Sequence, residues 1–162
     1  MARCVVGVSS GTWYFECRIR REEGHYRVGW AQKKAELRAA VGFDKWGFGY
    51  RDIRGAVVHD SKRLDDMCAP YGANDVVGCS IDVDAGEIGF YKNGETQGVA
   101  FRSVPAGTYY PAVSLYGNAQ ITANFGPTFD FPPEKDHKPI SDLASRVRPP
   151  VETRASKRHR VI

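Results

Sequence analysis

The sequence has no long apolar run and few histidines and cysteines. Its 162 residues include four histidines and four cysteines, and the cysteines stand at positions 4, 17, 68 and 79 without a CxxC pair. Zinc sites usually bring their ligands in closely spaced pairs, so the sequence indicates buried free thiols in a reducing compartment rather than a metal cluster. No stretch reaches the roughly 20 apolar residues of a membrane-spanning helix, so we expect no membrane partner.

Motifs that carry catalysis are also missing. Gly126-Pro127 and the glycines on either side of Phe48 lack the lysine and the following helix of a phosphate-binding loop. His59 precedes an aspartate, but no G-x-S-x-G nucleophile accompanies it. We therefore expect neither an enzyme nor a cofactor.

Positive charge is concentrated at one end of the chain. Residues 141–162 carry six lysines and arginines against two acidic residues, which equals the formal net charge of +4 of the whole sequence. The formal charges of residues 1–140 therefore sum to zero. A neutral body argues against general binding of a nucleic-acid backbone by the fold, so any cationic site on it must be local.

Short apolar strands alternate with turns along most of the chain. The strongest are Thr12–Arg20, which is aromatic and β-prone, and Asp75–Asp84. Asn93-Gly94 after Glu87–Lys92 is a typical hairpin turn. Ser61–Tyr71 is polar and indicates a loop. Further strands are predicted at Val5–Val8, Tyr26–Ala31, Lys45–Tyr50, Gly55–Asp60, Gln97–Phe101, Tyr109–Leu115 and Ala119–Phe125. This pattern, with almost no helical periodicity, predicts an all-β antiparallel sandwich.

The strand pattern ends near Ser141. We predict one domain over residues 1–143 and a disordered basic tail over residues 144–162, because the tail is rich in charge and proline and poor in apolar residues. Such a tail has two interpretations. It is either a solvated chain end without a partner, or a segment that makes weak contact with nucleic acid or the nuclear-import machinery. The residues that would make such contacts are Arg154, Lys157, Arg158 and Arg160.

The segment Tyr26–Arg51 combines aromatic residues, glycines and cations. Lys45 and Arg51 fall on one face of a predicted strand with only glycines between them, and Arg27 ends the preceding strand. This arrangement predicts open backbone flanked by cations, a shallow pocket for an acidic partner. Aromatic residues at alternate strand positions should instead face the core: Trp13, Trp30, Trp46, Phe48, Tyr50, Phe90 and Tyr109.

Six blocks of sequence, in this order, resemble a SPRY domain: GTWYFE at 11–16, RVGW at 27–30, DVVGCSIDVD at 75–84, FYKNG at 90–94, QGVAF at 97–101 and YYPAVSLY at 109–116. Among SPRY proteins the chain most resembles the Ash-two family, the trithorax-group subunits of histone methyltransferase complexes. The residues that carry this second resemblance are GFDKW at 42–46, FYKNGETQGVAF at 90–101, YYPAVSLYGNAQITANFGPTFDFPP at 109–133 and KPISDL at 138–143.

The resemblance implies a non-catalytic adaptor that works in the nucleus. In the Ash-two family the SPRY domain binds an acidic segment of a WD40-repeat scaffold subunit, and the pair activates a SET-domain enzyme that methylates lysine 4 of histone H3. Similar SPRY domains also occur in a DEAD-box helicase and in a nuclear ribonucleoprotein. RNA handling is therefore the alternative that the resemblance leaves open.

The resemblance also implies residues for an acidic-peptide pocket. The first arginine of that pocket is Arg27 here and the second is Arg51. Ala40 stands where the family has proline, and Phe43 stands where it has tyrosine. Lys45 lies nearby. Phe43 has two interpretations, a core plug or a pocket wall.

The chain departs from the family in three places. The family's N-terminal strand is missing before Met1, and so is a long insertion that some members carry before FYKNG. The family's C-terminal helix, which docks a dimeric dumpy-type subunit, is not evident, because residues 145–162 contain Pro149-Pro150 and no apolar stripe of helical spacing. We therefore do not expect that subunit among the partners.

Overall fold

A computed structural model describes residues 1–134 and 136–146, which form a two-sheet sandwich. The strands are β1 (Ala2–Arg3), β2 (Thr12–Ile19), β3 (His25–Ala31), β4 (Gly47–Arg51), β5 (Val57–His59), β6 (Lys62–Leu64), β7 (Val76–Asp82), β8 (Glu87–Lys92), β9 (Glu95–Phe101), β10 (Tyr110–Tyr116), β11 (Ile121–Asn124) and β12 (Lys138–Pro139). Two short 3-10 helices span Ile53–Gly55 and Ile140–Arg146.

The first sheet has the strand order β1-β10-β3-β4-β5-β6, and the second has the order β11-β2-β7-β8-β9. All neighbours along these two orders are antiparallel, and only β12 runs parallel to its partner, β2. The predicted all-β antiparallel sandwich is thus confirmed. Neither 3-10 helix of residues 1–134 and 136–146 has the length or the apolar composition of a membrane span.

Alternating residues from both sheets fill the space between them. The ring of Phe15 from the second sheet meets the indole of Trp30 from the first edge-to-face, with 5.0 Å between ring centroids. The rings of Tyr50 and Phe90 also meet across the core, with 5.1 Å between centroids and an angle of 46° between their planes. Trp46 is the one aromatic residue predicted for the core that is not buried. The buried ones are Trp13, Trp30, Phe48, Tyr50, Phe90 and Tyr109.

The centre of the outer face of β2 is buried as well, at Tyr14 and Glu16. The segment 124–131 crosses it. Tyr14 packs edge-to-face on Phe129 at 4.8 Å. The carboxyl group of Glu16 accepts hydrogen bonds from the side-chain amide of Asn124 (3.0 Å) and from the backbone amides of Asp130 (2.6 Å) and Phe131 (3.3 Å). A fully buried acidic residue is thus satisfied by one crossing segment.

Several predicted boundaries are wrong, for identifiable reasons. The predicted strand Val5–Val8 does not form: Val5 is 83% exposed, and the edge strand is Ala2–Arg3. The predicted loop Ser61–Tyr71 contains β6, an exposed edge strand too polar to show apolar alternation. At the other end, Leu143 is buried in the core within a 3-10 helix that continues to residue 146, so order extends past the predicted break at Ser141.

All four cysteines are free. Cys17 and Cys79 are fully buried in the core, as predicted, whereas Cys4 and Cys68 are only partly buried. Burial, together with the nearby carboxyl group of Glu16, raises the pKa of the Cys17 thiol to about 12. The predicted basic tail lies outside the described residues, apart from its first three positions.

Candidate functional site: a cationic groove

The loop between β3 and β4 lies on the outer face of the first sheet. A Cβ atom at Gly49 would stand 3.0 Å from the carbonyl oxygen of Val41, and one at Gly47 would stand 2.8 Å from the backbone nitrogen of Gly42. The glycines of β4 therefore admit the loop and do not leave the backbone open to a ligand. The prediction of open backbone beside the cations is wrong at this point.

Trp46 is also not where the strand pattern placed it. The chain turns at Asp44, whose carboxylate accepts hydrogen bonds from the backbone amides of Trp46 (3.0 Å) and Glu36 (2.9 Å), and β4 begins only at Gly47. Trp46 is therefore half-buried against the loop, outside the main core. The ammonium groups of Lys34 and Lys45 lie over its ring, at 5.0 and 4.8 Å from the centroid.

Two arginines stand side by side on the same outer face. Arg27 of β3 is directly opposite Arg51 of β4 in the antiparallel register. Arg27 is half-buried and donates to the carbonyl of Val41 (3.3 Å). Burial first, and then the charges of Arg51 and Arg63, lower the pKa of Arg27. In residues 1–134 and 136–146, no carboxylate pairs with Arg27 or Arg51, since the seven ion pairs found there involve other residues.

The arginine pair joins two cavities, which together we call the cationic groove. The first cavity, of about 450 Å³, extends over β10 and is lined also by His25, Arg38, Ala40 and Tyr116. The second, of about 310 Å³, extends over β5 and β6 and is lined also by Phe43, Val58, Ser61 and Arg63. Arg27 and Arg51 line both cavities.

Behind the arginine pair, a buried tyrosine ties the two strands together. The hydroxyl of Tyr71 donates to the carbonyl of Tyr50 (2.8 Å) and approaches that of Tyr26 (3.3 Å). These are the residues that immediately precede Arg51 and Arg27. Because Tyr71 is buried, its hydrogen bonds hold the backbone of both arginines in a fixed position.

The structure brings four of the five predicted pocket residues together. Arg27, Ala40, Phe43 and Arg51 all line the groove, and Phe43 forms a wall rather than a core plug because its side chain is 55% exposed. Lys45 lines neither cavity and contacts Trp46 instead. The predicted tail residues lie outside the described part of the chain: Arg154, Lys157, Arg158 and Arg160.

Sequence reasoning missed several residues of the groove, among them two further arginines and an aromatic residue. Arg63 lies on β6, a strand that the polar sequence did not reveal. Arg38 lies in the loop, whose path across the sheet no periodicity describes. Tyr116 ends β10, where its ring stacks on that of His25 at 6.4 Å between centroids. The one available signal was the excess of cations over acids between His25 and Arg63.

The groove is suited to carboxylates. It offers at least two arginines without an acidic partner, beside apolar walls formed by Ala40, Phe43 and Val58. Arginine presents a planar fork of donors that matches a carboxylate in a bidentate geometry. In the described residues no group of three or more histidine, cysteine, aspartate or glutamate side chains is arranged to hold a metal ion.

Comparison with known proteins agrees with this architecture. The family model of the SPRY domain matches residues 12–128. The chain belongs to the SPRY domain family. The crystal structure of the SPRY domain of human HERC1 has the same fold, with a TM-score of 0.63 over 75% of this chain and 78% of that one, at 24% sequence identity.

Two kinds of longer protein contain a similar SPRY domain. The Set1/Ash2 histone methyltransferase complex subunit ash-2 of Caenorhabditis elegans is 28% identical over 183 residues, which cover 80% of this chain and 32% of that protein. The probable ATP-dependent RNA helicase ddx1 of Dictyostelium discoideum is 43% identical over 136 residues, which cover 83% of this chain and 17% of that protein. The chain therefore spans a third or less of these relatives.

Proposed function

We propose that this SPRY domain is a non-catalytic interaction module that binds an acidic protein segment in the cationic groove. The observation that carries the proposal is the pairing of Arg27 with Arg51 in direct register, with no carboxylate of the described residues in an ion pair with either. Asp52, which pairs with His25, acts on Arg27 only through its more distant charge. Like charges directly opposite each other on a sheet are destabilising. A ligand carboxylate would relieve that repulsion.

The magnitude of the interaction is sufficient for recognition. A charge-assisted hydrogen bond contributes about 1.5–3 kcal/mol when it is partly desolvated, whereas a fully exposed ion pair contributes about 0–1 kcal/mol. Arg27 is half-buried beneath the loop and Arg51 is partly buried. The free energy that each of them contributes on contact with a carboxylate should therefore lie between these limits, and two or three such contacts are enough for specific binding.

The first setting that we propose is a histone methyltransferase complex in the nucleus. There the domain would bind an acidic segment of a WD40-repeat scaffold subunit and so support a SET-domain enzyme that methylates lysine 4 of histone H3. The Set1/Ash2 relative supports this setting. Weak contact of Arg154, Lys157, Arg158 and Arg160 with nucleic acid would fit it. The dumpy-type subunit is not among the proposed partners.

The second setting is an RNA-handling protein of the helicase type, and a specific observation favours it. The helicase relative has the higher identity, and its match extends over 136 residues. The match to the methyltransferase subunit extends over 183 residues, more than this whole chain, so that relative carries residues that this chain lacks. The acidic-segment site is the same in both settings.

A titration and a capture experiment test the two parts of the proposal separately. An acidic peptide should bind the isolated domain, and the same peptide with asparagine and glutamine in place of its acidic residues should not. Equal binding of both peptides would contradict the acidic-segment site. Affinity capture from nuclear extract should recover a WD40 subunit and a SET enzyme in the first setting, and helicase or RNA partners in the second.

A further inference from the structure

A third arginine, Arg63 of β6, lies near the arginine pair. Gly49 of β4 is opposite Val58 of β5, and Val58 is opposite Arg63 of β6. Residues in direct register share a sheet face, as do residues two apart along one strand. Arg63 therefore stands on the same outer face as Arg51, and both line the second cavity.

The charge of Arg63 is felt at the arginine pair. It is one of the two cations that lower the pKa of Arg27, together with Arg51 and after burial. The three guanidinium groups thus act on one cavity. The nearest acidic residue, Asp65, also pairs with Arg54 (3.4 Å), so its single charge is shared between two arginines.

Asp65 holds Arg63 in place while leaving part of it available. The carboxylate of Asp65 lies 2.8 Å from Nε of Arg63 and accepts from its Nη2 at 3.3 Å. This geometry uses one edge of the guanidinium, and Nη1 has no acceptor in the described residues. Asp65 is therefore a positioning residue, and the free edge of Arg63 is available to a ligand.

The rest of the second cavity is preformed. The hydroxyl of Ser61 donates to the carbonyl of Phe43 (2.5 Å), and the backbone amide of Ser61 donates to the carbonyl of Gly42 (2.9 Å). These bonds fix the β3–β4 loop to the turn between β5 and β6. The wall carrying Phe43 thus faces the strand carrying Arg63 before any ligand arrives, which lowers the entropic cost of binding.

We infer that Arg63 is a third ligand-binding arginine and that the groove selects segments with acidic residues at three alternate positions. This inference rests on the proposed function. Strands β3 and β6 are three spacings of about 4.8 Å apart, and Arg63 stands two residues along the sheet from the Arg27–Arg51 row, so the backbones of Arg27 and Arg63 are about 16 Å apart. An extended peptide rises about 3.3 Å per residue and points alternate side chains the same way, so acids at i, i+2 and i+4 span about 13 Å. The three arginine side chains line one cavity, so they can cover the remaining few ångströms and meet the three carboxylates together.

The test is a double-mutant cycle read by fluorescence anisotropy at low salt. The probe is a fluorescein-labelled peptide with three aspartates at alternate positions in a glycine and serine background. Arg63→Gln should weaken its binding about fivefold, a modest loss because Arg63 is half-exposed. Arg20→Gln, which removes an exposed arginine directly after β2 and outside the groove, is the matched control and should change affinity less than about 1.5-fold.

The peptide variants locate the contact. When the terminal aspartate that meets Arg63 is replaced by asparagine, Arg63→Gln should cause no further loss of affinity. When the aspartate at the other end of the peptide is replaced, Arg63→Gln should still weaken binding. Unchanged affinity of Arg63→Gln, with weaker binding of Arg51→Gln, overturns the third contact and leaves the proposed function intact. Unchanged affinity of both variants, or no binding of this probe by the wild type, contradicts the proposed function as well. Equal thermal midpoints show that the variants are folded.

Discussion

Arg27 and Arg51 face each other across the β3–β4 ladder as a pair of like charges, and neither forms an ion pair within residues 1–134 and 136–146. Such a pair costs free energy in the unliganded domain, by up to about 1 kcal/mol for directly opposite side chains. The fold tolerates the cost because the two backbones are held by the sheet and by Tyr71 behind them. An arrangement that is unfavourable without a ligand is expected at a binding site rather than at a structural contact.

Tyr71→Phe should lower the free energy of unfolding by about 1–1.5 kcal/mol, because it removes the hydrogen bond from the buried hydroxyl to the carbonyl of Tyr50. It should also weaken acidic-peptide binding slightly, since the strands carrying both arginines lose their tie. Urea unfolding measures the first effect. Tyr116→Phe, at a largely exposed ring, is the control and should change stability by less than about 0.5 kcal/mol. Equal free energies of unfolding for Tyr71→Phe and Tyr116→Phe would contradict a stabilising role of the Tyr71 hydroxyl.

Glu16→Ala should destabilise the domain by about 3 kcal/mol, because three donors lose a buried acceptor: the side chain of Asn124 and the backbone amides of Asp130 and Phe131. The segment 124–131 should also become accessible to protease, since these bonds hold it on β2. Limited proteolysis with mass spectrometry and urea unfolding measure both effects. Glu23→Ala, at an exposed turn, should be close to neutral, within about 0.5 kcal/mol. A loss of stability for Glu16→Ala no larger than that for Glu23→Ala would show that the Glu16 carboxylate does not hold the segment 124–131 on β2.

Stability should decline at alkaline pH through the buried thiols. In the unfolded chain Cys17 loses its proton near its ordinary pKa of 9.0, whereas in the folded chain burial raises that pKa to about 12. The unfolded state is therefore favoured increasingly between pH 9 and pH 12, by about 1.4 kcal/mol per pH unit for each such thiol. The contribution is fully present below pH 9. Urea unfolding at pH 8 to 10.5 measures it, and Cys17→Ala should have a shallower decline; an identical slope in both proteins would exclude Cys17 as a cause.

The fold could be predicted because its signals are local. Strands β2, β7 and β8 have strong alternation. Asn93 and Gly94 adopt the positive φ values, 49° and 82°, of the predicted hairpin turn. The errors occurred where local composition and tertiary context disagree. The apolar segment Val5–Val8 pairs with another strand only through one bridge, at Val8. The polar segment of β6 forms a strand because it pairs with the free edge of β5.

The site could be predicted only in part, because it depends on contacts across a long loop. That Arg27 and Arg51 lie near each other follows from two adjacent strands. That Val41 packs on Gly49 follows from the path of the loop, which Asp44 anchors through two backbone amides. No periodicity describes such a path. For the same reason the position of Lys45 was wrong, since the turn at Asp44 carries it to Trp46 and away from both cavities.

One calorimetric titration decides whether the arginine pair binds an acidic ligand. An acidic peptide is titrated into the wild type, Arg27→Ala, Arg51→Ala and the control Arg20→Ala, with urea midpoints measured on the same samples. We predict a loss of affinity of more than about tenfold, or about 1.4 kcal/mol, for each groove variant. Their stability should change by less than about 1 kcal/mol, because the removal of a like-charge contact offsets the hydrogen bond that Arg27 donates to Val41. Unchanged affinity, or a loss matched by Arg20→Ala, would contradict the acidic-ligand site.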